Sequence, residues 1–450
     1  MGKRIQDLMR NSHLRRTPPR KHWAARRTAA GLRGKSRAGR ALCYNRHAFI
    51  LIHVLRKVPS LKFGAISFGV ALLLLALFAC SGGNPAPQST SLFPQRAFVS
   101  DAGAGSLQII NSLRDILDFT NSVNVGNSPG LMALAPNRRF TLVFNALGNT
   151  ISVVNNAQES QTATISLPSW TESMAISPDS STGYVAMPAA QVLGQPSGVV
   201  DVLDLVNNRV QFSLAVAQAH WLVLNHSGNR VLVFSDNSNS VTVINPSQIG
   251  KGNYSTIVPG FDHPVWAVFS QDDSTAYSMN CGPECGGTNA GLTVLNMNTN
   301  TPTATIGLAG ATMATLINGN VYVVGSGHGV GTLQTVSTTG LFASAPINIS
   351  NGYHWRMELG SNNKLFIGSR GCSGSGCLSI LDLTSNKAVV DTPNGDVTGI
   401  APIPGRNIVY VIEGGELRIF DTTTDAPSTT QFIDIVGRAV DVKEIDPAAH

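Results

Sequence analysis

Short segments of alternating apolar and polar residues recur along the chain from about residue 96 to its end. The most apolar segment of each repeat contains an aromatic residue or a leucine, at Phe98, Leu142, Tyr184, Leu232, Tyr277, Tyr322, Phe366 and Tyr410. Successive positions in this series lie 42 to 48 residues apart. Alternation with a period of two predicts β-strands rather than helices.

Each repeat carries signals for four short strands. A second segment of the pattern apolar-x-apolar-apolar-polar follows the first, as at 241–245 and 378–382. The third strand segment of a repeat is exemplified by residues 162–165. The fourth, exemplified by residues 174–179, precedes the next repeat. Stretches rich in Asn, Asp, Ser and Gly between them predict turns. Four strands in about 44 residues are typical of a β-propeller blade, and we expect an all-β propeller of eight four-stranded blades, with seven as the alternative.

The two ends of the repeat region predict how the ring closes. The chain enters at Phe98 on what would be the second strand of a blade, and residues 439–445 alternate like a single inner strand. We therefore expect the C-terminal strand to pair with the N-terminal blade. Such pairing would remove exposed strand edges, which favour aggregation.

The repeats resemble the YVTN-type β-propeller repeats of bacterial surface and periplasmic proteins. The matching segments include Leu-Val-Phe-Asn at 142–145, Val-Thr-Val-Ile-Asn at 241–245 and Ser-Pro-Asp at 177–179. The resemblance covers about residues 96–446, which we expect to form a single propeller domain. It implies a fold and an exported location, and it implies almost nothing about activity.

The distribution of charge separates the N-terminal leader from the rest of the chain. The whole chain is 43% apolar and 13% charged, with a formal net charge of +6. Residues 1–62 contain 17 of the 32 Lys and Arg residues but only one acidic residue, Asp7, so the remainder has a net charge of −10. A negatively charged body repels phosphate backbones, and we expect no nucleic-acid partner. Residues 1–62 are interpreted as a disordered basic leader or as sequence upstream of the true start.

An uncharged segment at 63–79 follows this leader and ends beside a cysteine. A basic region followed by an apolar run is the pattern of a secretory signal. Leu77-Phe78-Ala79-Cys80 resembles a bacterial lipobox, which implies a signal peptide at 63–80 and lipid attachment to Cys80. Residues 81–95 are then a flexible tether. An uncleaved anchor and an ordinary secretory signal remain alternatives. We expect a protein anchored by lipid to the cell envelope, at the outer membrane or facing the periplasm.

Four further cysteines lie in the repeat region, in equivalent loops of two repeats. Local pairing in an exported protein predicts disulfides between Cys281 and Cys285 and between Cys372 and Cys377. Their spacing without nearby histidines is a poor zinc motif. No Cys-x-x-Cys-His motif for covalent haem is present, and we expect neither a metal nor a cofactor.

Candidate functional residues lie in or beside the loops that lead into the first, innermost strand of each blade. Four tryptophans are found there, at Trp170, Trp221, Trp266 and Trp355. The titratable and charged residues beside them are Glu172, His220, His263, His354 and Arg356. Aligning the repeats places Trp221, Trp266 and Trp355 at one position. This pattern fits a ligand-binding mouth or an acid–base cluster at the channel entrance. Alternatively, the tryptophans pack between blades and the histidines bond to loop backbone.

Two classes of function are compatible with these residues. The first is a monomeric binding or scaffolding module that engages an unknown protein, glycan or small molecule through the channel mouth. The second resembles propeller lactonases, in which Glu172 or a histidine (His220 or His354) would activate water and Arg356 would stabilise an oxyanion.

Overall fold

The computed structural model describes residues 90–374, 376–424 and 431–448. The described strands form eight antiparallel sheets of four strands, and the inner strands follow one another around a ring. The fold is an eight-bladed β-propeller, as predicted. In the described residues, the only helical segments are single turns at Pro246–Gln248 and Gly282–Cys285. The predicted leader (1–62), the signal peptide with Cys80 (63–80) and residues 81–89 of the predicted tether lie outside the described residues.

The strands succeed one another blade by blade. Blade 1 contains β1 (Arg96–Asp101), β2 (Ser106–Asn111) and β3 (Ile116–Asn124). Blade 2 contains β4 (Pro129–Leu134), β5 (Phe140–Asn145), β6 (Thr150–Asn155) and β7 (Ser160–Ser166). Blade 3 contains β8 (Ser173–Ile176), β9 (Thr182–Met187), β10 (Val199–Asp204) and β11 (Arg209–Ala215). Blade 4 contains β12 (Ala219–Leu224), β13 (Val231–Ser235), β14 (Ser240–Ile244) and β15 (Ser255–Pro259).

Blade 5 contains β16 (Pro264–Phe269), β17 (Thr275–Asn280), β18 (Gly291–Asn296) and β19 (Thr301–Gly307). Blade 6 contains β20 (Met313–Ile317), β21 (Asn320–Gly327), β22 (Val330–Ser337) and β23 (Ile347–Ile349). Blade 7 contains β24 (Tyr353–Leu359), β25 (Lys364–Arg370), β26 (Leu378–Asp382) and β27 (Lys387–Val390). Blade 8 contains β28 (Val397–Pro402), β29 (Ile408–Glu413), β30 (Glu416–Asp421) and β31 (Phe432–Ile433).

The last strand, β32 (Ala439–Glu444), completes blade 1 as its inner strand. It pairs antiparallel with β1, so that Ala97 faces Glu444 and Asp101 faces Ala439. This pairing confirms the predicted closure. It also leaves β1 without a free edge, which is the physical reason for the arrangement.

Apolar residues from neighbouring blades form one buried cluster at each of the eight blade interfaces. The second strand of each blade is buried on both faces, because each sheet packs between two others. Phe98 and Tyr410, from the recurring series, are fully buried. Burying a side chain of this size contributes roughly 1.5–3 kcal/mol. The recurring residue therefore marks the layer that packs against the next blade.

The Ser-x-Asp segments form the turns between inner and second strands. In the turn after β8, Ser177 Oγ donates to Asp179 Oδ1 at 2.5 Å and accepts from the Thr182 N–H at 2.9 Å. The turn after β16 repeats this arrangement, with Ser270 Oγ donating to Asp272 at 2.6 Å. Side chains that bond nearby backbone in this way favour turns over strands, so the motif separates the strands of a blade.

Candidate functional site

The inner strands line a central channel, and we call the side of the ring where they begin the top face. Near this start the register with the second strand shifts at His220 in β12, Val265 in β16, Trp355 in β24 and Thr398 in β28. Each shift is a β-bulge, which re-aims a side chain. His220 and Trp355 thus occupy equivalent positions at the entrance of the channel.

The predicted alignment of Trp355 with Trp221 and Trp266 is wrong by one residue. Trp221 and Trp266 pair with Phe234 and Met279, and the equivalent residue of β24 is Arg356, which pairs with Gly368. In blade 4, Val223 pairs with Leu232, nine positions on, whereas in blade 7, Glu358 pairs with Phe366, only eight positions on. The turn between β24 and β25 is one residue shorter, which shifts any alignment that counts back from Phe366.

Four charged side chains form a continuous network at the top face. His220 Nε2 lies 3.1 Å from Glu172 Oε2, and His220 Nδ1 lies 2.8 Å from Asp236 Oδ1. Arg370 donates from Nη1 to Glu172 Oε1 at 2.9 Å and from Nη2 to Oε2 at 3.3 Å. Both ring nitrogens of a protonated histidine are donors, which matches a carboxylate on each side. Acids and bases therefore alternate along this network.

The network favours the charged forms of Glu172 and His220. Burial alone would raise the pKa of Glu172, but hydrogen bonds and charges from His220 and Arg370 lower it to about 2. Burial alone would lower the pKa of His220, but Asp236 and Glu172 raise it to about 9. A general base works best with a pKa near the working pH. Neither residue meets that condition at neutral pH.

Aromatic rings enclose this network. The Trp170 ring meets His220 edge-on at 5.7 Å between centroids, and the Trp221 ring stacks on His220 at 4.7 Å between centroids. The Arg370 guanidinium lies 4.7 Å from the Trp355 ring centroid. Trp170 is 41% exposed, which leaves a large apolar surface open to solvent. We define the channel mouth as the charged network together with three of its aromatic neighbours, namely Trp170, Glu172, His220, Asp236, Tyr353, Trp355 and Arg370.

Two of the predicted histidines do not reach this network. His354 is fully buried, with Nε2 2.9 Å from the Ser350 carbonyl oxygen, and burial lowers its pKa to about 4. His263 lies with Nδ1 3.1 Å from Asp262 Oδ1 in the loop before β16. The ring of His354 therefore bonds to loop backbone, as in the alternative interpretation, whereas the ring of His263 contacts a neighbouring carboxylate in its own loop.

Arg356 and three of the four tryptophans line a cavity in the channel. Arg356 Nε donates to the Thr398 carbonyl oxygen at 3.1 Å, and its guanidinium lies 4.1 Å from the Trp355 ring centroid. Trp221, Trp266 and Trp355 all line a central cavity of about 220 Å³. The predicted residues that lie at the channel therefore divide into a group at the mouth and a group at the cavity, and Trp355 belongs to both. The mouth group contains Trp170, Glu172 and His220, and the cavity group contains Trp221, Trp266 and Arg356.

A groove on the top face begins beside the mouth. It has a volume of about 620 Å³, and its lining includes Tyr353, Arg370, Glu284 and Ser326. Glu284 lies in the loop closed by the Cys281–Cys285 disulfide, and its Oε2 accepts from the Ser326 N–H at 2.9 Å. Burial raises the pKa of Glu284 to about 7, against the opposing effect of that hydrogen bond.

Sequence reasoning missed Arg370, Asp236, Tyr353 and Glu284. One signal was present for the first two. The residue four positions after the recurring aromatic or leucine is Ala102, Ala146, Pro188, Asp236, Cys281, Ser326, Arg370 and Gly414. The two charged residues in this series are the two that join the network. No such periodic position marks Glu284, because it lies in a short loop between two paired cysteines, where the sequence shows only the disulfide.

Both predicted disulfides are present. Cys281 pairs with Cys285 and Cys372 with Cys377, in loops between the second and third strands of blades 5 and 7. Disulfides persist in oxidising compartments, so they indicate an extracytoplasmic environment. Within the described ranges, no helix is long and apolar enough to cross a membrane. Among the same residues, no group of three His, Cys, Asp or Glu side chains is placed to hold a metal ion.

Comparison with known proteins supports the fold class. No family model matches the chain, and no curated protein matches it. A solved structure of dihydro-heme d1 dehydrogenase NirN in complex with DHE has a TM-score of 0.59 at 12% identity, covering 80% of this chain and 77% of its own. Hydrazine synthase of Kuenenia stuttgartiensis has a TM-score of 0.47 at 16% identity, covering 76% of this chain and 100% of its own. The similarity to NirN shows a shared fold, and the YVTN-type assignment stays a prediction.

Proposed function

We propose that the protein is an extracytoplasmic binding module of the YVTN type, tethered to the membrane, that binds a small polar molecule at the channel mouth. The observation that carries this proposal is the charged network of Glu172, His220 and Arg370, framed by exposed aromatic surface. A few fixed polar groups beside apolar rings are the usual composition of a ligand site. Such groups orient a ligand without needing to exchange protons with it.

The described chain enters the ring on the face opposite the mouth. Ala97 faces Glu444 and Asp101 faces Ala439, so β1 begins at the bottom face and runs towards the mouth. The mouth is therefore formed at the far end of β1 from the point of entry.

The binding proposal is tested by substitutions at the mouth. A panel of sugars, aromatic acids and their amides is titrated against residues 90–450 while tryptophan fluorescence and heat of binding are recorded. We expect at least one compound to saturate the protein and Trp170→Ala or Glu172→Gln to weaken it about tenfold or more. Phe119→Ala is the matched control, because Phe119 is 82% exposed on the outer strand β3. Equal weakening by Phe119→Ala, or no saturable binding, would contradict the proposal.

One observation favours a hydrolase as the second candidate. Glu284 has a pKa near the working pH and faces a groove that Arg370 and Tyr353 also line. The lactonase-like alternative therefore has its best general base in Glu284 rather than in Glu172 or a histidine. Hydrolysis of a lactone panel by the wild type, lost in Glu284→Gln and kept in Glu416→Gln, would establish it. Absence of turnover across the panel leaves the binding function.

A further inference from the structure

The central cavity is built by all eight blades and lies beneath the channel mouth. Its lining includes Trp221, Trp266, His354, Trp355, Arg356 and Lys443. Its volume of about 220 Å³ is smaller than the 300–1,000 Å³ of a pocket for a complete drug-sized ligand. Tyr353 lines both this cavity and the groove beside the mouth. The cavity is therefore large enough for one end of a ligand, while the rest of the same ligand contacts the mouth.

Arg356 is the cation of this cavity that lacks a direct counter-ion. Its Nε donates to the Thr398 carbonyl oxygen at 3.1 Å and its Nη1 to that of Trp355 at 3.4 Å. Its guanidinium stacks on the Trp355 ring. Among the described residues, no carboxylate oxygen lies within 4.0 Å of it, in contrast to Arg370, which is paired with Glu172. A guanidinium has five N–H donors, so some remain for a ligand.

Two acidic residues lie near Arg356 without pairing with it. The carboxylate of Asp441 accepts from the backbone N–H groups of Met132 and Val442, both at 2.9 Å, and lies 3.7 Å from Lys443 Nζ. Glu358 lines the cavity two residues further along β24, and burial raises its pKa although Lys443 and Arg356 oppose the change. The charge of Arg356 is therefore balanced only at longer range.

Two unpaired polar atoms lie in residues that line the same cavity. Neither the Nδ1 atom of His354 nor the Nε1 atom of Trp266 has a hydrogen-bond partner among the described residues, although both atoms are buried. Because His354 Nε2 contacts the Ser350 carbonyl oxygen, that nitrogen carries the proton and Nδ1 is an acceptor. Trp266 Nε1 is a donor. Buried polar groups generally have partners, and unpaired ones call for an explanation.

We propose that the cavity binds the carboxylate group of the ligand, with Arg356 as its counter-ion and the indole rings packed around the adjoining carbon atoms. This inference rests on the proposed function, because it names the chemical class of the ligand that the mouth admits. Trp266 Nε1 adds a second donor for an acid, and His354 Nδ1 accepts from a neighbouring hydroxyl group. Arginine suits this role because its planar donors match a carboxylate in pairs.

The test uses benzoate and its neutral isostere benzamide as probes for the cavity. Both are titrated to about 10 mM, which covers the millimolar affinity expected of so small a ligand. Binding is followed by fluorescence of the three tryptophans that line the cavity. We expect benzoate to bind at least about tenfold more tightly than benzamide, and Arg356→Gln to abolish the difference. Arg356→Lys should restore part of it. Arg209→Gln, on an arginine that is 64% exposed on β11, should change nothing.

The outcomes separate this inference from the proposed function. Equal binding of benzoate and benzamide, binding of neither, or a preference that survives in Arg356→Gln would overturn the carboxylate site. The binding function would still stand if the compound found with the wild type lost affinity in Trp170→Ala. Thermal melting of each variant shows whether a loss of affinity comes from unfolding. A variant such as Arg356→Gln that melts like the wild type is folded, so its loss of affinity belongs to the site.

Discussion

Glu172 and Arg370 form an ion pair between blades on opposite sides of the ring. Glu172 precedes the inner strand of blade 3 and Arg370 ends the second strand of blade 7, yet their Oε1 and Nη1 atoms lie 2.9 Å apart. Three blades separate them in either direction around the ring. Arg370 also lies over Trp355, which lines the central cavity. The pair therefore bridges the mouth, and a ligand carboxylate entering it would compete with Glu172 for Arg370.

The first prediction concerns the pH dependence of this network. The pKa of His220 is raised from 6.5 to about 9, so its stabilisation is fully present below about 6.5 and is lost as the pH rises through 9. The pKa of Glu172 is lowered from 4.5 to about 2, so its contribution is present above 4.5 and is lost as the pH falls towards 2. Glu172→Gln should lower the free energy of unfolding by about 1–3 kcal/mol at pH 6.

Denaturant unfolding at pH 6 and pH 10 checks this prediction. The difference between the wild type and Glu172→Gln should shrink at pH 10, where His220 has lost its proton in both proteins. Glu416→Gln serves as the control, because its carboxylate is 53% exposed and pairs with Arg418 at the surface. If the difference in free energy of unfolding between the wild type and Glu172→Gln stays constant with pH, the network does not stabilise the charged form of His220.

The second prediction concerns the disulfide that follows Arg370. The loop of Cys372 and Cys377 is fixed by a hydrogen bond from the Gly371 N–H to Asp396 Oδ1 at 2.7 Å. Replacing both cysteines by serine should cost about 2 kcal/mol of stability, because the closed loop is short. It should also weaken ligand binding, since Arg370 directly precedes the loop.

The disulfide between Cys281 and Cys285 offers a matched comparison. It is of similar size, but it follows β17 in blade 5, and its loop carries Glu284, which lines the groove beside the mouth and is not part of the mouth itself. Its removal should cost similar stability in thermal melts and should weaken binding at the mouth less than removal of the Cys372–Cys377 disulfide. If both pairs affect binding equally, the loop of Cys372 and Cys377 has no particular role in positioning Arg370.

The third prediction concerns the membrane tether. Acylation of Cys80 should place the protein in the membrane fraction, and Cys80→Ala should release it, because lipid chains provide the anchoring energy. Labelling with a fatty-acid analogue, followed by fractionation, measures both effects. Membrane retention of Cys80→Ala would instead support an uncleaved apolar anchor at 63–79.

The fold could be predicted from the sequence because the same physical pattern occurs eight times. Seven of the eight recurring residues, such as Phe98 and Tyr410, are buried between two blades, so an error in one repeat is corrected by the others. Closure was readable from residues 439–445, which alternate like an inner strand but have no following repeat. These features depend on local periodicity, which a sequence displays directly.

The site was only partly predictable because its partners come from opposite blades. Glu172 and His220 were found beside tryptophans, but Arg370 is 198 positions from Glu172 and no periodicity links them. His354 also precedes a tryptophan, yet the shorter turn between β24 and β25 moves it to a buried position. A one-residue change in a turn thus decided which histidine reaches the mouth.

The last prediction concerns the strand that closes the ring. Asp441 in β32 is fully buried and accepts the Met132 N–H of blade 2 at 2.9 Å, while β32 also pairs with β1. Removing residues 439–450 would expose the edge of β1 and leave the Met132 N–H without its partner. We expect that protein to lose cooperative thermal unfolding and to aggregate. Removing only residues 447–450 should preserve the melting transition, because Arg96 still pairs with Asp446 at 2.7 Å. A monomeric, cooperatively melting protein without β32 would show that the ring does not depend on its closing strand.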